Sequence, residues 1–255
     1  MDLMTVLGFA LGTGAIYLVM LHGDVVYLLF NLDAAILVFG GTLGSTLIAF
    51  PFRSIKQVPS AIKLILFPPP PTDVNKLVKD IAVLSAAAKR NGFMALSDSP
   101  VQAKNRFLSA NVKKISDGVE KEIILENMRQ EIFSVAQRHE RTSGILQAMA
   151  TFSPIFGLLG TLIGVIQVLK NLQDPASMGA SMAIAVTTTF YGIFGANFLF
   201  LPASLKLGEY SNDEILAKEL IAEGIESILN QEVPSITLHR LEAFLSKRIR
   251  EKRKK

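Results

Sequence analysis

The chain has 255 residues, half of them hydrophobic, with a mean hydropathy of +0.39, 19% charged residues and a formal net charge of +4. Soluble domains carry about 25% charged residues, so this composition excludes an ordinary soluble protein and a disordered one. Cysteine is absent, which excludes disulfides and thiolate chemistry; the three histidines lack metal-ligand spacing, and no aromatic-plus-basic patch speaks for nucleic acid.

Taken in chain order, residues 1–52 contain no Lys or Arg, and their acids are Asp2, Asp24 and Asp33. Apolar runs over residues 3–21 and 34–50 are each close to the roughly 20 residues a helix needs to cross a bilayer. No basic n-region or A-x-A-like site accompanies the first run, so it is expected to be a retained span and not a cleaved signal. Phe67-Pro68-Pro69-Pro70-Pro71 breaks any helix. Thr72 or Asp73 then caps a new one, in which Val74, Leu77, Val78, Ile81 and Leu84 recur at helical spacing. Asn91-Gly92 is its stop signal, and a second short helix is expected near Phe93. Residues 123–147 are amphipathic and are expected to run on into a third apolar run, 145–169. A fourth covers 180–205. In the tail, Ile215, Leu216, Leu220, Ile221, Ile225 and Leu229 share one face of a predicted helix over 212–229. Pro234 interrupts it, and 236–249 is expected to form a further helix. The basic run from Lys247 to Lys255 reads as a solvated tail that helps to set topology, with contact to anionic lipid as the alternative.

The predicted fold is an all-α membrane protein with four transmembrane helices. A cytoplasmic helical domain is inserted between the second and third, and a cytoplasmic helical tail follows the fourth. In residues, 1–50 hold spans one and two, 51–144 the inserted domain, 145–205 spans three and four, and 206–255 the tail. Basic residues orient it. Of 26 Lys and Arg, 25 fall in the middle segment or the tail, and only Lys170 lies between spans three and four. The positive-inside rule puts both basic segments and both termini in the cytoplasm.

Polar groups inside spans are costly and mark function by default. Span three carries Thr151, Ser153, Pro154, Thr161 and Gln167. Span four carries Ser181, Thr187, Thr188, Thr189, Tyr191 and Asn197, with Pro202 near its inner end. The pairs Gly8/Gly12, Gly40/Gly44 and Gly160/Gly164 are expected to serve close helix packing. Consecutive threonines cannot all face one way at about 100° per residue, and a Thr hydroxyl can bond back to its own helix. No Asp, Glu, Lys, Arg or His lies inside any predicted span. A self-contained ion pump needs such a group, so any ion-binding carboxylate must come from a partner helix. Hydroxyl and carbonyl oxygens suit a hard cation such as Na⁺ as secondary ligands. No nucleophile, metal cluster or nucleotide motif suggests an enzyme or a cofactor, and Gly157-Leu158-Leu159-Gly160 reads as helix packing and not as a phosphate loop.

The stretch from Ser153 to Val165 (SPIFGLLGTLIGV), then Leu172-Gln173-Asp174-Pro175, then Met182 to Gly192 (MAIAVTTTFYG) and Pro202 resembles the MotA/PomA flagellar stator proteins. Met1-Asp2-Leu3 and Phe39-Gly40-Gly41 are similar too, and the layout matches over the whole chain. The wider ExbB/TolQ group shares the pattern of spans three and four but has three spans, so an energiser of outer-membrane processes is the weaker alternative. The resemblance implies a multi-pass protein of the bacterial inner membrane. It implies a ring of five such subunits around two copies of a single-span, peptidoglycan-binding partner of the MotB/PomB type, which supplies the ion-binding Asp. Ion flow then turns the rotor through its protein FliG. On this resemblance Lys89, Arg90 and Asp98 face the rotor, with Ser97 where relatives often carry a second acid. Pro154 and Pro202 match the prolines that couple ion passage to movement. Thr161, Thr188 and Thr189 match the sodium-type pattern, which favours Na⁺ over H⁺ as the transported ion.

Overall fold

The computed structural model describes residues 2–23, 26, 30–70, 72–96, 105–170 and 172–245. These are helical, with no strand among them. Four helices are long and apolar enough to cross a membrane: Leu3–His22, Leu32–Ala49, Lys121–Lys170 and Ser177–Leu229. Each covers one of the runs read from the sequence, the second short by one residue, Phe50. The chain divides into two compact units, Met1–Pro69 with His139–Glu209 and Pro70–Arg138 with Tyr210–Lys255.

In the first unit, α1 (Leu3–His22) is capped by Asp2, whose carboxylate accepts from the Met4 amide at 3.1 Å. That cap satisfies one of the amides a helix start leaves unpaired. No residue of α1 is buried, and most of its apolar surface is turned outward. Asn31 caps α2 (Leu32–Ala49) in the same way, through the Ala34 amide. Thr42 and Thr46 are buried in α2, and their hydroxyls donate to the carbonyls one turn back, Val38 at 2.6 Å and Thr42 at 2.7 Å. Beyond Pro51, where the sequence offers no apolar span, the chain makes a single turn (Phe52–Ile55) and then α3 (Val58–Leu66).

The second unit holds α4 (Val74–Asn91), α5 (Arg106–Ser116), the first part of α6 (Lys121–Lys170), the second part of α8 (Leu201–Leu229) and α9 (Pro234–Leu241). Asp73, one of the two candidate caps, accepts from the Lys76 amide. Gly92 ends α4 with φ of +78°, a left-handed conformation that suits glycine. The element expected near Phe93 is one 3₁₀ turn, Phe93–Leu96. Ile81 and Leu84 of α4, Leu108 and Val112 of α5, Ile124 and Met128 of α6, and Leu220, Ile221, Ile225 and Ile228 of α8 form one fully buried core. The helix expected over 236–249 is shorter: α9 stops at Leu241, one 3₁₀ turn follows, and the basic tail from Lys247 lies outside the described residues.

A polar chain runs through this core. Ser85 and Ser227 each hydrogen-bond Thr237, at 3.1 and 2.6 Å, and Ser227 donates to Glu232 at 2.6 Å. Arg240 bridges Glu232 at 2.7 Å and Glu223 at 2.6 Å. Burial works against its charge, but the two carboxylates outweigh it and raise the Arg240 pKa.

Candidate functional site

The polar groups of the first unit gather where α6 crosses α7 (Pro175–Phe194). Small residues permit the crossing. A Cβ on Gly157 would lie 2.9 Å from the Thr188 carbonyl oxygen, and one on Gly164 would lie 2.5 Å from the Ala185 Cβ. Gly192 answers from α7, packed against the Ser153 carbonyl, and the Ser153 hydroxyl donates to the Gly192 carbonyl at 3.0 Å. The packing role expected for Gly160 and Gly164 is met here. Gly12 packs on the Phe198 ring, whereas Gly8, Gly40 and Gly44 have nothing within 4 Å of a Cβ; in α2 it is Gly41 that meets a neighbour, Phe156.

Thr161 and Thr189 meet across this crossing, hydroxyl to hydroxyl. The Thr161 hydroxyl also lies 3.2 Å from the Gly157 carbonyl oxygen and 3.1 Å from that of Ala185; for Thr189 both separations are 3.4 Å. Four oxygens thus converge, with the hydroxyl protons of Thr161 and Thr189 and, at the Ala185 carbonyl, that of Thr188 to serve them. Whichever hydrogen bonds form, oxygen lone pairs are left over. Thr161 and Thr189 line one side of a groove of about 440 Å³ whose surface is almost wholly apolar, otherwise lined by Ile16, Ala185, Val186, Phe190, Ile193, Phe194 and Phe198. Phe190, Phe194 and Phe198 stack along one face, with ring centroids 5.8 and 5.0 Å apart. Thr188 does not line the groove and reaches the cluster only through the Ala185 carbonyl. It is fully buried, packs on Gly160 and donates to the Ala185 carbonyl at 2.9 Å.

Pro154 lies inside α6 at the crossing, where a Cβ on Gly192 would lie 3.2 Å from its Cα, and removes one backbone hydrogen bond there. Pro202 does not end its helix. The backbone widens to π-type hydrogen bonding over Gly195–Phe200 just before it, then continues as α8 to Leu229. A π segment of this kind makes room for the proline ring.

Lys89 and Arg90 occupy the last turn of α4 and are exposed. The Lys89 ammonium donates to the Gln231 carbonyl at 2.7 Å, in the turn between α8 and α9. Asp98 lies outside the described residues. At the other end of the chain, Lys206 binds the Asp2 carboxylate and the Thr5 hydroxyl. The Lys206 hydrogen bond, followed by the Met4 amide, holds Asp2 below the usual carboxylate pKa.

Residues 100–220 match the family model for the MotA/TolQ/ExbB proton channel family. The chain is 33% identical over 249 residues to YtxD of Bacillus subtilis, covering 96% of this chain and 91% of that one. It is also 33% identical over 189 residues to motility protein A of Cereibacter sphaeroides, covering 74% of each. The chain belongs to the MotA family. Its fold agrees with a solved chain of the flagellar MotAB stator complex from Bacillus subtilis, at a TM-score of 0.89 and 27% identity over 98% of each chain. MotA and its relatives are membrane channel and motility proteins, not an enzyme family. The matched region contains the Thr161–Thr189 pair, Pro154 and Pro202, whereas Lys89 and Arg90 lie outside it. Sequence reading missed the two carbonyls of the MotA-like crossing, because backbone oxygens leave no mark in residue type. It also missed the Phe190–Phe194–Phe198 ladder, although the four-residue spacing was there to be read.

Proposed function

We propose that the chain is the ring-forming membrane subunit of a flagellar stator. With a single-span, peptidoglycan-binding partner of the MotB/PomB type, it conducts Na⁺ down its gradient and converts the flow into torque on FliG. Each charge crossing 100 mV releases about 2.3 kcal/mol, so no covalent chemistry is needed. Five copies form the ring. The termini and residues 51–144 and 206–255 lie in the cytoplasm of a cell whose inner membrane holds the spans. The basic residues in those segments support that orientation. The MotAB stator complex among the similar structures and the motility protein relatives support the role.

The observation that carries the reading is the oxygen cluster of Thr161, Thr189, Gly157 and Ala185 beside an open groove, in spans with no charged side chain. Neutral oxygens suit a hard cation and leave the balancing charge to a partner carboxylate. Thr188 supports the path from behind by filling the space at Gly160. Pro154 and Pro202 lie where a change at the crossing would bend α6 and the α7–α8 helix. Lys89, Arg90 and Asp98 form the rotor face. Proton transport is the second reading, and it is favoured by the description of the matched family as proton channels.

The deciding experiment measures swimming speed of complemented cells while sodium is varied at fixed pH. Speed should rise with sodium, and Thr161→Val or Thr189→Val should remove that dependence while membrane insertion stays normal. Speed independent of sodium in the unmodified protein overturns the sodium assignment and leaves the proton reading.

A further inference from the structure

The segment just after span two carries two unusual marks. Its first mark is depth. The buried side of α3, Ala61 and Ile65, packs on Ile145, Leu146 and Met149 of α6 and on Leu207 of α8. Those residues begin the third apolar run and follow the fourth, and α2 ends at Ala49. Gln57 accepts from the Thr142 hydroxyl at 3.3 Å and fixes the start of α3 at the same level. Three apolar spans therefore end where α3 lies, which is where the hydrocarbon gives way to headgroups.

Its second mark is the outer surface. Phe52, Ile62, Leu66 and Phe67 are exposed, at 78, 44, 42 and 58%. Arg53, Lys56 and Lys63 are exposed among them and make no ion pair with any described residue. Along the chain itself no acid occurs between Asp33 and Asp73. Arg53 and Lys56 lie in and just after the turn that precedes α3, and Lys63 lies on α3. Exposed apolar groups interleaved with cations in a short amphipathic segment just after a span are the pattern of an in-plane interfacial element. Lys206, at the same level, is by contrast already committed to Asp2.

We infer that Arg53, Lys56 and Lys63 form a binding site for the phosphate headgroups of anionic phospholipid in the leaflet facing the basic segments. The apolar side chains beside them enter the acyl region. This rests on the membrane orientation proposed above but not on the transported ion or the rotor.

The test uses the full chain in nanodiscs containing phosphatidylglycerol and phosphatidylcholine, each spin-labelled in turn, and measures the relative association of the two lipids with the protein. A cation near a membrane surface is worth about a fivefold preference, so three give on the order of a hundredfold as an upper bound at low salt. The expected result is a clear preference for phosphatidylglycerol that falls towards unity in the triple variant Arg53→Gln, Lys56→Gln, Lys63→Gln. The charge-keeping pair Lys56→Arg, Lys63→Arg should retain it, which separates lost charge from lost folding. Replacing Lys252, Arg253, Lys254 and Lys255 by Gln should retain it too. No preference in the unmodified chain overturns the inference, as does one that survives the triple variant or disappears with the tail charges. Oligomer dissociation in the triple variant with lipid preference unchanged would assign the surface to a second copy and would also overturn it. Failure of the stator reading would show in motility and leave these lipid measurements untouched.

Discussion

Replacing Gly157 by Ala tests the crossing of α6 and α7. The added Cβ would lie 2.9 Å from the Thr188 carbonyl oxygen and 3.2 Å from the Cα atoms of both Gly192 and Thr189. Carbon pairs settle at about 3.5–4.0 Å, so both of those carbon–carbon separations are short by about 0.3–0.8 Å. All three neighbours are backbone atoms, and no rotamer change relieves them. The helices must part by roughly half an ångström, and overpacking of this kind costs about 1–3 kcal/mol. At about 2–4 °C per kcal/mol for a chain of this size, the thermal midpoint should fall by several degrees. Parting the helices also pulls Thr161 from Thr189, because the Gly157 carbonyl belongs to the same oxygen cluster. Swimming should therefore fall more than the loss of stability explains. Gly208→Ala is the control, since a Cβ there meets nothing within 4 Å and the helix gains up to about 1 kcal/mol in propensity. Calorimetry of the purified chain in detergent and swimming assays read the two effects. If Gly157→Ala is as stable and as motile as Gly208→Ala, the close approach is not what holds the site.

Asp2→Asn should lower the thermal midpoint at neutral pH. Because the Asp2 pKa is depressed on folding, its contribution is present above the ordinary carboxylate value of 3.8 and fades as pH falls through the folded value. The gap between Asp2→Asn and the unmodified chain should close in acid, and a pH-independent gap refutes the ion pair. Arg240→Ala leaves Glu223 and Glu232 facing each other half-buried and should cost about 1–3 kcal/mol in chemical unfolding, with Arg240→Lys intermediate. Arg90→Glu and Asp98→Lys should abolish or reduce swimming with normal membrane insertion; unimpaired motility in both removes the rotor-contact reading. Lys89→Met should also loosen the α8–α9 turn, read as faster amide exchange around Gln231, because it removes the hydrogen bond to that carbonyl.

The spans, the Asp73 cap and the stop at Gly92 were legible because each depends on neighbours in sequence: a run of apolar residues, a side chain three positions from an amide, a residue that tolerates positive φ. What stayed hidden depends on distance in sequence. Lys206 and Asp2 lie 204 positions apart, and nothing local marks either as half of a pair. Three consecutive threonines look equivalent on paper. The crossing separates them, since Gly160 makes room for Thr188 while Thr189 turns to Thr161. Residues 51–67 gave no span signal because Pro51, Pro59 and three cations interrupt the apolar run. The helix there is amphipathic and short, and its burial by α6 and α8 sets it. Gly8, Gly40 and Gly44 have the spacing of packing glycines but face open space, which shows that spacing alone does not say whether a helix has a neighbour.

A cation entering the crossing would find oxygens but no charge. Moving an ion from water into a low-dielectric interior carries a penalty on the order of 20 kcal/mol before relaxation. Hydroxyl and carbonyl dipoles replace part of the lost hydration, as neutral oxygens do in selectivity filters. They cannot neutralise a full charge. The groove beside Thr161 and Thr189 is otherwise walled by aliphatic and phenyl side chains, with no acid in the spans to share the load. A cation held there alone would be less stable than in water, so the isolated chain should leak little. A carboxylate brought alongside by a partner helix makes the site tenable, and only while it is there. Conduction then requires the partner to be seated, which ties ion flow to the relative position of two chains. Under the stator reading proposed above, that is the coupling a motor needs.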